Sequence, residues 1–184
     1  MRRGITTAGT VTVAGALLAL ALTSSPALAA TAAAGAPASA APSAQLVPVA
    51  GSTSNQVNPE CKLSYIPDPK SNKWGVHISG FIRHHHGFDA VKLNAQVKCR
   101  RVSMDVQVYV IIRKTGLIVD HTVVQDTVRA AKGNWVKNQR TWKKCVSKTA
   151  STYYGHASGS VIFQGVTYSA TLPDAPHVSL PCGT

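Results

Sequence analysis

Between Val91 and Cys99 apolar and polar residues alternate without a break: Val91, Leu93, Ala95, Val97 and Cys99 interleave with Lys92, Asn94, Gln96 and Lys98. A period of two is what a strand with one buried face requires, because successive side chains leave opposite sides of the backbone. After Arg100 and Arg101 a second run follows, with Met104, Val106, Val108, Val110 and Ile112 on one face and Ser103, Asp105, Gln107 and Tyr109 on the other. Two half-buried strands in tandem predict an antiparallel pair with one dry face.

What precedes these strands is of a different kind. Arg2 and Arg3, an apolar stretch from Val11 to Leu22, and Ala27-Leu28-Ala29 have the layout of a secretory leader cleaved after Ala29. The apolar stretch is too short to span a bilayer, and no cysteine at the cleavage point is available for a lipid. Residues 30–58 are mostly Ala, Ser, Pro, Thr and Gly with no charge, which predicts a disordered linker or processed segment. The folded domain is expected over residues 59–184.

All four cysteines, Cys61, Cys99, Cys145 and Cys182, fall in that domain. An even count in an exported chain reads as two disulfides, hence a secreted, extracellular protein. Three connectivities are open; the nearly equal separations favour Cys61–Cys99 with Cys145–Cys182. A zinc site built from the four is disfavoured, since no pair has the short spacing such sites use.

Along the domain, Cys61 to Tyr65 reads as a first strand stopped by Pro67-Asp68-Pro69, and Trp74 to Arg83 as a second, followed by a His84-His85-His86-Gly87 loop. Arg113 to Gly116 reads as a hairpin turn, and Leu117 to Thr127 as the next strand. Val128 to Asn138 is the least regular stretch. Gln139 to Cys145, Ser151 to Phe163 and Tyr168 to Leu172 add strands, Gly165 marks a bend, and Pro181 assigns the last strand to an edge. Seven or eight short strands with no convincing helix predict an all-β fold, an antiparallel β-sandwich resembling the immunoglobulin type, with a small barrel as the alternative.

The leader, the Ala/Ser-rich spacer, the four-cysteine β-domain and the hairpin running from Val108 to Val119 resemble the small secreted four-cysteine β-domain proteins of actinobacteria. That resemblance implies an exported β-domain and carries over no functional residue.

The formal charge of +12 falls to +10 once Arg2 and Arg3 leave with the leader, which speaks to anionic partners rather than to fold. The stretch from Arg129 to Lys148 concentrates it: Arg129, Lys132, Lys137, Arg140, Lys143, Lys144 and Lys148, with Trp135 and Trp142 interleaved and no acid among them. Cations meet phosphates or carboxylates and indole faces stack on sugars or bases, so these nine residues are the expected anion-binding surface. Arg100, Arg101, Arg113 and Lys114 would help if they share its face. The competing reading puts both tryptophans in the core and the lysines on a solvated strand.

His84 and His86 point the same way from an extended segment and are the weak candidates for a metal site. There is no G-x-S-x-G elbow, no free cysteine once the disulfides form, and no carboxylate pair outside the polar faces of strands, so neither an enzyme nor a cofactor is expected. The expected partner is an anionic cell-wall polymer or polysaccharide, with no specific nucleic acid and no transmembrane segment after leader cleavage. The rivals are an inhibitor inserting an exposed loop into an extracellular enzyme, and a metal-binding protein using His84 and His86.

Overall fold

In the computed structural model, which describes residues 40–50, 58–69, 72–83 and 86–184, the two alternating runs divide at neither of the expected places. Eleven strands occur among the described residues: β1 (Ser43–Gln45), β2 (Val47–Pro48), β3 (Cys61–Tyr65), β4 (His77–Arg83), β5 (His86–Lys92), β6 (Ala95–Lys114), β7 (His121–Asn138), β8 (Trp142–Lys144), β9 (Ser147–Phe163), β10 (Val166–Thr171) and β11 (Ala175–Gly183). All pairings are antiparallel, and no helix occurs among the described residues. The leader falls on residues 1–29, outside the described residues.

The run from Val91 to Cys99 is two strands in two sheets. Val91 and Lys92 close β5, which pairs with β4 and β8, whereas Ala95 begins β6 in the larger sheet. At the corner the Leu93 N–H donates to the Thr141 carbonyl (3.2 Å) and the Asn94 carbonyl accepts from Ile66 N–H (3.0 Å), so these two backbone groups stay paired as the chain leaves one sheet for the other. Val91, Leu93, Ala95 and Val97 are all fully buried through that corner, which is why periodicity alone misses it.

The second correction is the reverse. The runs on either side of Arg100 and Arg101 do not pair with each other; they are one 20-residue strand, β6. Its ladder with β7 shifts register between Lys98 and Ser103, and its ladder with β9 between Met104 and Gln107, where Asp105 takes a positive φ of 49°. Such bulges bend a strand and re-aim its side chains. Here the phase flips: Ser103 is buried, while Met104, expected inside, is 51% exposed.

β6 is the centre of an eight-stranded sheet. β7 pairs with it over nearly its full length, while β3 and β9 take successive parts of it, β3 at Ala95–Cys99 and β9 at Met104–Lys114. β10 and β11 then pair with β9. The path β1-β3-β6-β9-β10-β2 ends on two strands separated in the chain by the buried Leu46 alone, so the sheet nearly closes into a barrel. The architecture therefore lies nearer the barrel alternative than an immunoglobulin-like sandwich. The unstructured reading of residues 30–58 is corrected at β1 and β2 alone, which pair with β3 and β10 through backbone bonds that need no apolar pattern in their own sequence; residues 30–39 and 51–57 lie outside the described residues.

Inside, Val97 and Leu63 pack over Gly159, and Val106, Val108, Val110, Ile112, Tyr153, Ala157, Val161 and Tyr168 complete the core. Buried Asn138 ties the bent ribbon together. Its amide donates to the Val108 and Asp126 carbonyls, and its oxygen accepts from Arg140 N–H and the Thr141 hydroxyl. The Tyr65 hydroxyl donates to the Pro173 carbonyl (2.9 Å), and burial, with the Asp174 charge second, holds that phenol protonated far above its usual range.

Two further expectations change. Val128 to Asn138, expected to be irregular, lies within the continuous strand β7; with β6 as its ladder partner on one edge, its pattern carries little alternation. Leu117 to Val119, expected in a strand, form the exposed loop between β6 and β7. Gly165 with Gln164 makes the expected turn, both at positive φ, and β11 carries Pro181 at a position opposite Ala150.

The disulfides are Cys61–Cys99 and Cys145–Cys182, the favoured pairing. The first bridges directly opposed residues of β3 and β6. The second ties the residue after β8, in the three-stranded β4-β5-β8 sheet, to β11 of the larger sheet. Two bridges of this kind belong to an oxidising environment.

Candidate functional site

Residues opposite one another on paired strands share a face, so register decides which cations meet. The Cys61–Cys99 pair sets Lys62 opposite Lys98, and the β6–β7 ladder sets Lys98 opposite Trp135. One step along, Ser64, Gln96 and Lys137 form a second row. Cys61, Leu63, Val97 and Val136 fill the inner face, which leaves these two rows outside.

Trp135 is 52% exposed, against the core reading of this residue. Its indole N–H donates to Gln96 Oε1 (2.9 Å), and Gln96 Nε2 donates to Ser64 Oγ (3.3 Å). Lys137 Nζ lies 3.8 Å from the indole centroid, a cation–π contact. Among the described residues, Lys62, Lys98 and Lys137 have no carboxylate partner. The face therefore offers three ammonium groups around a partly exposed, hydrogen-bonded aromatic surface.

The rest of the expected basic set disperses. Arg129 pairs with Asp105, Arg140 with Asp126 (3.6 Å), and Lys148 with Asp89, each a carboxylate outside the basic run. Exposed pairs of this kind add little stability, but they offset the charge locally. Lys132 is exposed, opposite Met104 at the bend of β6. Trp142, Lys143 and Lys144 belong to β8 in the other sheet, where Trp142 packs beside Phe88 (5.5 Å between centroids) and Lys144 Nζ sits over the Phe88 ring. Arg100 pairs with Glu60 (3.2 Å), and Arg113 and Lys114 lie at the far end of β6. Sequence reasoning thus missed Lys62 and Lys98. The signal was available: once Cys61 is bonded to Cys99 on adjacent antiparallel strands, their neighbours Lys62 and Lys98 must face each other.

At the β6–β7 loop the Tyr154 hydroxyl donates to Asp120 Oδ2 (2.7 Å) and Gly116 N–H to Asp120 Oδ1 (3.2 Å). Those bonds, the phenol's first, hold the Asp120 carboxyl below its ordinary value of 3.8, with His177 and Arg113 adding to the effect; the same bond raises the Tyr154 phenol. A depressed carboxyl contributes above its unfolded value and loses that contribution as pH falls through the folded value. We therefore expect the Gly116 amide resonance to hold steady from about pH 7 to about pH 5 and to move only below the ordinary carboxylate range. An amide that titrates near the unperturbed value would show that the loop brace is absent in solution.

The histidine expectation falls on His84, outside the described residues, and on His86, of which only the strand backbone is described. Among the described residues no three His, Cys, Asp or Glu side chains converge as a metal site would need. No family model, characterised protein or solved structure matches the chain.

Proposed function

We propose that this protein is a secreted, non-catalytic binding module that attaches to an anionic cell-envelope polymer through the outer face of β3, β6 and β7, with Trp135 at its centre. The observation that carries this reading is the alignment of Lys62, Lys98 and Trp135 across three paired strands, with Lys137 over the indole. The two disulfides favour an exported protein, and the net charge of +10 that remains once Arg2 and Arg3 leave with the leader favours a polyanion over a neutral ligand. Charged side chains also shield an edge strand from pairing with other chains. That role, however, does not require an exposed tryptophan anchored by its own N–H.

The test is co-sedimentation of the oxidised protein with purified cell walls, with and without their anionic polymers, across a salt series. Binding should need the polymer and weaken steeply with salt. Charge reversal at Lys62→Glu with Lys98→Glu should weaken it at least about tenfold while circular dichroism stays unchanged. Equal binding by this variant would sink the assignment to this face. Lys143→Glu with Lys144→Glu, on the other sheet, should have the smaller effect.

A further inference from the structure

The loop from Thr115 to Asp120 presents Leu117, Ile118 and Val119 at 107%, 96% and 63% exposure, three consecutive aliphatics at the tip of the longest hairpin. A folded protein rarely leaves such a run uncovered without a partner for it. The tip is built rather than slack. Thr115 N–H donates to the Thr152 carbonyl (2.9 Å), and Asp120 is held by Gly116 N–H and Tyr154. Tyr154 in turn stacks on His177 with ring centroids 4.4 Å apart. A Cβ on Gly116 would fall 2.1 Å from the Val119 carbonyl oxygen, so only glycine permits this turn.

The base of the tip is cationic. Lys114, His121 and Lys143 line one depression of about 280 Å³ with Thr122, Val123 and Thr184, and Arg113 lies on the strand leading into the loop. Asp120, hydrogen-bonded by Tyr154 and Gly116, keeps its negative charge, and Asp174 acts on Arg113, so the collar rests on Lys114 and Lys143, which have no carboxylate partner among the described residues. An apolar tip with its polar backbone partly satisfied from within, above a collar of positive charge, matches the two layers of an anionic bilayer: acyl chains for the aliphatics, phosphates for the collar.

We propose that the β6–β7 loop is a membrane-docking tip that inserts Leu117, Ile118 and Val119 into the interface of an anionic lipid bilayer, with Lys114 and Lys143 meeting headgroup phosphates. This surface is separate from the Trp135 face, so either proposal can fail alone. One short loop gives reversible attachment rather than permanent anchoring.

The experiment uses the oxidised full chain with vesicles of phosphatidylcholine alone and of phosphatidylcholine mixed with phosphatidylglycerol. Ile118→Trp reports from the tip itself: relative to the parent protein, its added emission should shift to the blue with the mixed vesicles and be quenched by brominated acyl chains. Ile118→Asp should cut co-sedimentation with the mixed vesicles about tenfold, and Lys114→Gln with Lys143→Gln should each contribute about fivefold. Lys62→Glu with Lys98→Glu should leave the tip's blue shift in place. No vesicle-dependent shift at position 118, or one that follows protein concentration without lipid, would overturn the proposal; the latter would assign the tip to self-association.

Discussion

Replacing Cys145 and Cys182 together by alanine should lower the unfolding free energy by about 4 kcal/mol, the loop-entropy value for a ring of this size. The bridge encloses a sequence separation of 37 residues and joins the three-stranded β4-β5-β8 sheet to β11 of the larger sheet. No ladder connects those two sheets among the described residues, so the bridge, the short chain connections, the Val146 N–H bond to the Gly183 carbonyl (2.8 Å) and side-chain packing hold them together. Loss should therefore be local before it is global. Amides of β5 and β8 are expected to lose hydrogen-exchange protection first, while those of β6 and β9 keep theirs until overall unfolding. Urea unfolding followed by circular dichroism gives the total, and a midpoint equal to the parent's would show that the remaining backbone and packing contacts secure the smaller sheet without the bridge.

A substitution of one methyl group should have an effect of comparable size. At Gly155 of β9 an added Cβ would lie 2.2 Å from the Ile111 carbonyl oxygen and 2.9 Å from Leu93 Cδ2. The Leu93 side chain can turn away, but the Ile111 carbonyl belongs to the β6–β9 ladder and cannot move without breaking it. Gly155→Ala should then cost about 3 kcal/mol, the upper end of what overpacking usually does. Gly80 in β4 is the control, because a Cβ there meets nothing within 4 Å, and Gly80→Ala should change stability by less than about 0.5 kcal/mol. Equal unfolding midpoints for the two variants would mean that the β6–β9 spacing is looser than the structure shows.

Much of the fold was legible from the chain. The burial of Val91, Leu93, Ala95, Val97 and Cys99 followed from strict alternation. Met104 escaped the pattern because a bulge adds a residue without marking itself in composition; Asp105, not glycine, takes the positive φ there. Leu117, Ile118 and Val119 escaped it for the opposite reason, since aliphatic residues with high strand propensity were placed in a loop that glycine and a carboxylate hold open. Propensity describes what packs well on a half-buried sheet, and among the described residues these three stand outside the core.

The candidate site was half legible. Trp135 and Lys137 were identified from the run of cations around them, but Arg129, Arg140 and Lys148 in the same run are engaged by carboxylates outside it that only the fold brings near. By itself the sequence determined the all-β class, the four half-cystines and an excess of positive charge, because alternation, cysteine count and net charge are local or additive quantities. Tertiary structure alone decided that β6 bends rather than ends, that β1 and β2 nearly close the sheet, and that Lys62 and Lys98 stand beside Trp135. Those outcomes depend on strand register and closure, which are set by how separate stretches of backbone satisfy one another's hydrogen bonds over a shared core.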